Sequence, residues 1–390
     1  MKTRISIYAA FIMSIIFISS IYAQEKSKLL YATDSGLGIQ FGGEVEMEFV
    51  DVEGKGGFAH REFTYQKVRT RSPHMRIDKA VLETKIFYSE FLTYEIQFRF
   101  GDDGNRVDKH FARLQLPSLY TRFEMGKNRP FIRADRRTEG YPLIGTANWK
   151  GREYHITSET KYPLGEHVDL IGGVSFAMKR PLGSDDAAED KSFKILVYDD
   201  YDDKDGQTFE YGAMFGFKAY GLSALGWYYT GKLIDDFDWK TQLSQYLSDY
   251  NSLGDQTDKT HYWYGGRVGY DAHNIHARGE YIKTMDGLLP RFGYYGEVSY
   301  FIKSVANFLP VKGIEPLVRY GALNVLDHPR QLGTPETWDR QMTTIALLTH
   351  LDDYLSLKFE YYLLNEETGG DPPEDKVKDN QFLMQVNFKF

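Results

Sequence analysis

The sequence predicts an all-β fold, a transmembrane antiparallel β-barrel of about sixteen strands with short periplasmic turns and long extracellular loops. Three observations predict it. The chain ends on a strand in which Phe382, Met384, Val386, Phe388 and Phe390 share one face while Gln385, Asn387 and Lys389 share the other. Aromatic residues make up 15%, with 29 Tyr and 26 Phe, yet mean hydropathy is only −0.47. That combination arises when each strand has one lipid face and one wet face. Connections of two lengths also alternate along the chain, as they do when turns gather at one rim and loops at the other.

The N-terminus carries Lys2 and Arg4, an apolar run from Ile5 to Ile21, and a small residue, Ala23, before Gln24. This pattern predicts a cleaved signal peptide over residues 1–23, a short periplasmic segment over 24–35 and a barrel over 36–390. An uncleaved anchor helix is the alternative. No later stretch approaches the ~18–20 apolar residues of a spanning helix. The exported chain is therefore either soluble or a closed barrel, the other structure that satisfies its backbone in lipid. With 0 Cys there is no disulfide, thiol nucleophile or cysteine metal site. Loss of Lys2 and Arg4 takes the net charge from −8 to −10, which argues against a nucleic-acid partner.

Each element follows from its alternation. Leu37, Ile39, Phe41, Val45, Met47 and Phe49 alternate with Gln40, Gly42, Glu44, Glu46 and Glu48. A one-residue slip there turns three glutamates toward lipid, at a cost of a few kcal/mol, so the register is fixed. Ala80, Leu82, Ile86 and Tyr88 follow, then Tyr94 to Phe100 against Glu95, Gln97 and Arg99. Ala112, Leu114 and Leu116 stand against Arg113 and Gln115, and Phe123 and Met125 against Arg122 and Glu124. Weaker or longer strands hold Tyr154 with Ile156, Val168 to Met178, Phe209 to Ala219, and Leu225, Trp227 and Tyr229. The rest are Tyr262 to Tyr270, Ile275 to Tyr281, Phe292 to Ile302, Val318 with Tyr320, Thr344 to Leu348, Leu355 to Leu363, and the terminal strand.

Short turns fall at Ser89–Glu90, Pro117–Tyr120, Tyr162–Gly165, Tyr220–Gly221, Asp271–His273 and Leu351–Asp353. Long polar loops fall between them, at Asp51–Pro73, Lys127–Asn148, Arg180–Gln207, Thr230–Thr260, Ala322–Arg340 and Asn365–Asn380. Gly101–Arg106 and Lys303–Gly313 break the pattern. A soluble sandwich has no reason to sort its loops in this way.

Two stretches resemble the phosphate-selective porin O and P family. One is Arg76-Ile77-Asp78-Lys79-Ala80-Val81-Leu82. The other is Val107-Asp108-Lys109-His110-Phe111-Ala112 followed by Phe123-Glu124-Met125-Gly126-Lys127-Asn128-Arg129-Pro130-Phe131. The specific match covers some thirty residues. It implies a sixteen-stranded, usually trimeric channel that passes anions such as phosphate past an inward third loop. The family's basic ladder and lysine ring find no residue-by-residue counterpart here, so the resemblance implies porin function more firmly than phosphate specificity.

The third loop carries Lys127, Arg129, Arg133, Arg136 and Arg137 against Asp135 and Glu139. Rings of Arg or Lys select anions in a narrow pore, and charge-assisted bonds to phosphate or carboxylate oxygens are strong. Inward-facing Lys85, Arg99, Arg113 and Arg122 extend that basic path. The competing reading is a solvated loop with local pairs, and inward Glu44, Glu46, Glu48, Glu95 and Glu124 neutralising the strand cations.

The acidic fourth loop fails the EF-hand signature, with Tyr201 at the first ligand position and Gly212 at the twelfth. His273 and His276 diverge across a turn. His155 with Thr157 or Ser158 lacks the oriented third group of a hydrolytic triad. No cofactor or metal is implied. Trp149, Trp227, Tyr228, Tyr229, Tyr262, Trp263, Tyr361 and Tyr362 are expected in the aromatic girdles. The expected partners are membrane lipid and lipopolysaccharide, small anionic or hydrophilic solutes, two further copies in a homotrimer, and the barrel-assembly machinery through Phe390. The expected function is passive diffusion, without catalysis. A non-conducting receptor or adhesin barrel and a barrel hydrolase are the rivals.

Overall fold

The computed structural model describes residues 29–32, 36–52, 73–89, 91–100, 105–149, 153–178, 209–232, 260–286, 289–303, 311–325, 339–367 and 380–390. Sixteen long strands form one sheet: β1 (Leu37–Val52), β2 (His74–Tyr88), β3 (Leu92–Phe100), β4 (Arg106–Leu116), β5 (Thr121–Asn128), β6 (Glu153–Pro163), β7 (Val168–Met178) and β8 (Phe209–Ala219). They continue as β9 (Leu222–Lys232), β10 (Thr260–Ala272), β11 (Ile275–Asp286), β12 (Leu289–Tyr300), β13 (Gly313–Val325), β14 (Asp339–His350), β15 (Leu355–Glu367) and β16 (Gln381–Lys389). A two-residue strand, Ile302–Lys303, prolongs β12 along β13. Every neighbouring pair is antiparallel, and β16 closes on β1 from Gln381↔Val52 to Lys389↔Glu44.

Closure follows from the polymer physics of lipid, where an open edge leaves backbone groups unpaired. The glutamates of β1 point inward, and Phe49 packs edge-on against Phe382 across the seam outside, at 6.5 Å. At its last residue the seam exchanges backbone bonds, Gly43 N to Phe390 O at 3.0 Å and Phe390 N to Gly43 O at 3.1 Å. A Cβ on Gly43 would lie 2.6 Å from the Val81 carbonyl and 2.3 Å from the Phe390 ring. Gly43→Val is therefore expected to weaken closure by about 1–3 kcal/mol. The temperature at which the barrel loses its compact gel mobility should fall.

The expected turns and loops sort to opposite rims. The link of two residues between Asp286 and Leu289 is a further short exception on the long-loop side. Leu29–Ala32, within the segment expected to precede the barrel, pairs with the start of β1, Tyr31 opposite Ile39. The signal-peptide assignment falls on residues outside those described, as does the acidic fourth loop.

The outer wall exposes Met125, Ile156, Val174, Phe215, Val268 and Val298. Tyr88, Tyr120, Tyr162, Tyr220 and Tyr300 ring the short-turn rim, all exposed, with Tyr120 against Tyr162 at 5.4 Å. The girdle expected from the other aromatics needs correction. Tyr228, Tyr262 and Tyr361 do face outward, but Trp149, Trp227, Tyr229, Trp263 and Tyr362 are buried inside the barrel. For the four on strands period two is the reason, since adjacent residues of one strand cannot share a face; Trp149 follows a short helix of the third loop and is buried with it.

Candidate pore constriction

The chain leaving β5 turns into the barrel and crosses it. In a ring of sixteen strands, β13 lies diametrically opposite β5, and the third loop bonds to it directly. Arg319 of β13 donates to Thr138 Oγ1 at 2.9 Å and to the Gly140 carbonyl at 2.7 Å. Arg137 pairs with Glu315 of the same strand. Around the wall, Arg278 of β11 donates to the Asp135 carbonyl at 3.1 Å. The Glu139 amide donates to Glu360 of β15 at 2.9 Å, and the Gly140 amide to Tyr362 Oη at 2.6 Å. Gln385 of β16 donates to Glu139 at 2.7 Å, and Arg136 reaches Glu46 of β1 at 3.1 Å. A short helix, α1 (Leu143–Asn148), ends the crossing, and Trp149 Nε1 donates to Glu280 of β11 at 2.7 Å.

These polar anchors frame an apolar core inside the barrel. Ile132, Ala134, Tyr141, Leu143, Ile144 and Trp149 of the loop pack with Met214, Trp227, Tyr229, Trp263, Ile282 and Tyr295. Leu323, Met342, Tyr362, Leu364, Leu383 and Val50 complete the cluster. Gly293 of β12 lets the loop approach: its Cβ position lies 2.8 Å from Ile144 Cδ1. Burying Ile132, Leu143 and Ile144 contributes roughly 5–9 kcal/mol before ordering costs. The loop is thus seated against the β8–β16 wall.

Electrostatics reinforce that seat. Burial alone raises a carboxyl pKa, but Arg136 and then Lys358 outweigh it and hold Glu139 down to about 2. Its contribution to stability is present above the ordinary value of 4.5 and is lost as pH falls toward about 2. Comparing Glu139→Gln with the parent across pH 6 to 2 should show a stability gap that closes at the acid end. Burial opposes charge on Arg136, yet Glu139 and Glu46 raise its pKa well above the usual value. Arg136→Leu should cost about 3–5 kcal/mol, because it leaves two buried carboxylates without their guanidinium. Urea or heat titration would read it.

The basic residues singled out in the sequence divide into four groups. Arg136 and Arg137 are committed to carboxylates. Arg129 and Arg133 sit together beside Asn128, whose side-chain Oδ1 accepts from the Arg129 amide at 2.9 Å and from Arg133 Nη1 at 3.3 Å. Arg129 also lies over the Tyr141 ring at 5.4 Å. Burial and then Arg129 lower the Arg133 pKa, so that guanidinium is held at an electrostatic cost. Lys85, Arg99, Arg113 and Arg122 face inward on β2 to β5. Arg99 donates to the Asp78 carbonyl at 3.1 Å. Lys127 falls on the outer face, opposite His110 and Tyr154, apart from all the others.

Along β2 to β5, Arg76, Lys79, Lys85, Lys109, Arg113 and Arg122 each pair with a glutamate. In four pairs the cation is the more exposed member: Arg76 at 36% against Glu48 at 0%, Lys85 at 39% against Glu95 at 7%, Arg113 at 32% against Glu124 at 10%, and Arg122 at 41% against Glu159 at 18%. Lys79 with Glu44, at 19% and 17%, is nearly even, and Lys109 at 16% is less exposed than Glu83 at 22%. Oxygens of Glu46, Asp78 and Glu139 lie within 4.8 Å of one another, ringed by Arg136, Lys79 and Arg76. His155 shares Glu124 with Arg113 and Asn128, at 3.2 Å from its Nε2.

Sequence reasoning missed the far-wall partners Glu280, Glu315, Arg319, Glu360 and Gln385. Their strands are remote in the chain, and alternation shows only that such residues point inward.

No family model matches the chain, and no curated protein matches its sequence. Solved structures do match over nearly the whole length. Salmonella typhi OmpF, solved with daunomycin, has 13% identity and a TM-score of 0.60, covering 93% of this chain and 100% of its own. An anion-selective porin from Comamonas acidovorans has 11% identity and a TM-score of 0.57, covering 91% and 100%. The outer membrane channel DcaP of Acinetobacter baumannii has 11% identity and a TM-score of 0.57, covering 92% and 99%. At these identities the likeness is one of fold: a closed sixteen-stranded antiparallel barrel, as in these outer-membrane proteins.

Proposed function

We propose that this chain is a porin through which small hydrophilic solutes diffuse passively, with a preference for anions, phosphate among them. The observation that carries the anion preference is the tilt of the wall pairs on β2 to β5. Their guanidinium and ammonium groups lean into the open side of the barrel while their carboxylates stay against the wall. Fixed charge toward the water and screened countercharge behind it favour anions in a narrow passage. Arg129 and Arg133, where the loop leaves this wall at Asn128, supply the remaining positive charge. Lys127, on the outer face, is left out of the path. The resemblance of the Arg76 and Val107 stretches supports phosphate among the solutes, and the trimer rests on the same resemblance. A hydrolase reading finds no support in His155, which is paired to Glu124, with no hydroxyl hydrogen-bonded to its ring among the described residues.

The test is the reversal potential of single channels in a planar bilayer under a potassium chloride gradient. The expected sign is that of chloride permeation exceeding potassium, with added phosphate reducing the chloride current. A potassium preference would overturn the anion reading. A silent bilayer would favour the receptor barrel. On this proposal residues 1–23 are removed on export, so the mature N-terminus should read from Gln24.

A further inference from the structure

The outer wall carries an ammonium group where hydrocarbon alone would be a poor solvent for it. Lys127 on β5 stands directly opposite His110 on β4 and Tyr154 on β6. His110 Nε2 lies 3.2 Å from Tyr154 Oη, and the two rings meet edge-on at 5.5 Å. None of the ion pairs among the described residues includes Lys127 or His110. The three side chains form one polar row across three strands, one residue from the long-loop end of β5. Directly beneath it, toward the short-turn rim, the same outer face is Met125, Ile156, Ala112, Phe123 and Leu114, most of it exposed. Lys283 of β11 repeats the pattern beside outward Tyr264, again toward the long-loop rim.

We infer that Lys127, His110 and Tyr154 form a binding site for a lipid-borne phosphate of the outer leaflet, the phosphorylated glucosamine headgroup of lipopolysaccharide. An unpaired cation facing a bilayer costs up to about 2–4 kcal/mol, falling toward the interface, so its place is at headgroup depth with an anion. A phosphate oxygen satisfies the ammonium, and the imidazole–phenol pair offers further donors. The apolar column below fixes the source of the phosphate. Acyl chains attached to it would run down over Met125, Ile156 and Phe123, whereas free phosphate gains nothing from them.

The experiment uses the purified full-length barrel in detergent, titrated with diphosphoryl lipid A, with the same lipid stripped of phosphate, and with inorganic phosphate, and followed by native mass spectrometry. Wild type should retain diphosphoryl lipid A and lose it on dephosphorylation, and inorganic phosphate alone should form no adduct. The Lys127→Ala/His110→Ala double variant should bind about tenfold more weakly, as expected when a charge-assisted contact is removed. Lys127→Arg should restore most of the affinity. Compact gel mobility before heating establishes that each variant is folded. Equal binding by the double variant, or equal binding of the dephosphorylated lipid, would overturn the assignment. So would dissociation of an oligomer with lipid affinity unchanged, which would make this row a contact between copies.

Discussion

Reversing Arg129 and Arg133 together to Glu should turn the channel from anion-preferring to cation-preferring. Of the loop's four guanidiniums, these two have no direct carboxylate bond among the described residues: Arg136 and Arg137 are bound to Glu46, Glu139 and Glu315. Arg129 instead lies over Tyr141, and among the described residues Arg133 donates to the Asn128 side-chain Oδ1. Burial and mutual repulsion already press on Arg133, so the pair gains most from an anion passing close by. Two unit charges a few ångströms from the path, in a medium poorer than water, alter the potential by several kT. The readout is the sign of the reversal potential in a salt gradient. An unchanged sign would place the selectivity on β2 to β5 alone, and Arg113→Glu with Arg122→Glu would then carry the reversal.

The second large effect is on conductance. Trp149→Ala combined with Ile144→Ala should unseat the third loop and raise single-channel conductance well above that of the parent, with noisier open levels. Both side chains are fully buried in the interior cluster, and Trp149 also donates to Glu280. Truncating a buried Trp costs about 3–5 kcal/mol and a buried Ile about 2–5 kcal/mol. The wall pairing is untouched, so compact gel mobility should survive. A variant with parental conductance would mean that the loop stays seated on its polar anchors alone.

Why the barrel was legible and the seat of the loop was not comes down to what alternation encodes. In β1 one face is Ile39, Phe41, Val45 and Met47 and the other is Gln40, Glu44, Glu46 and Glu48, so inside and outside are fixed by chemistry. In β9 both faces are apolar, with Leu225, Trp227 and Tyr229 against Ala224, Gly226 and Tyr228. Period two separates these two sets but does not say which meets lipid. The structure turns the larger set inward to meet the loop. A strand that is apolar on both faces, beside a lumen expected to be wet, was the available signal that something apolar covers the inner wall. The Arg136–Glu139 pair was readable as a local contact at i, i+3. The bonds from Arg137 to Glu315 and from Glu139 to Glu360 depend on which strand lies across the ring, which only the closed barrel determines.

The most direct test of a wet path beside a seated loop uses single cysteines, which this chain permits because it has 0 of its own. Arg122→Cys, Met125→Cys and Tyr295→Cys would each be exposed to a charged, membrane-impermeant thiol reagent while channel current is recorded. Arg122→Cys should react, and its current should drop as the label enters the passage. Met125→Cys on the outer wall and Tyr295→Cys under the loop should stay silent. Reaction at Tyr295→Cys with no reaction at Arg122→Cys would contradict the account, since water and ions would then run where the loop is packed and not along β2 to β5.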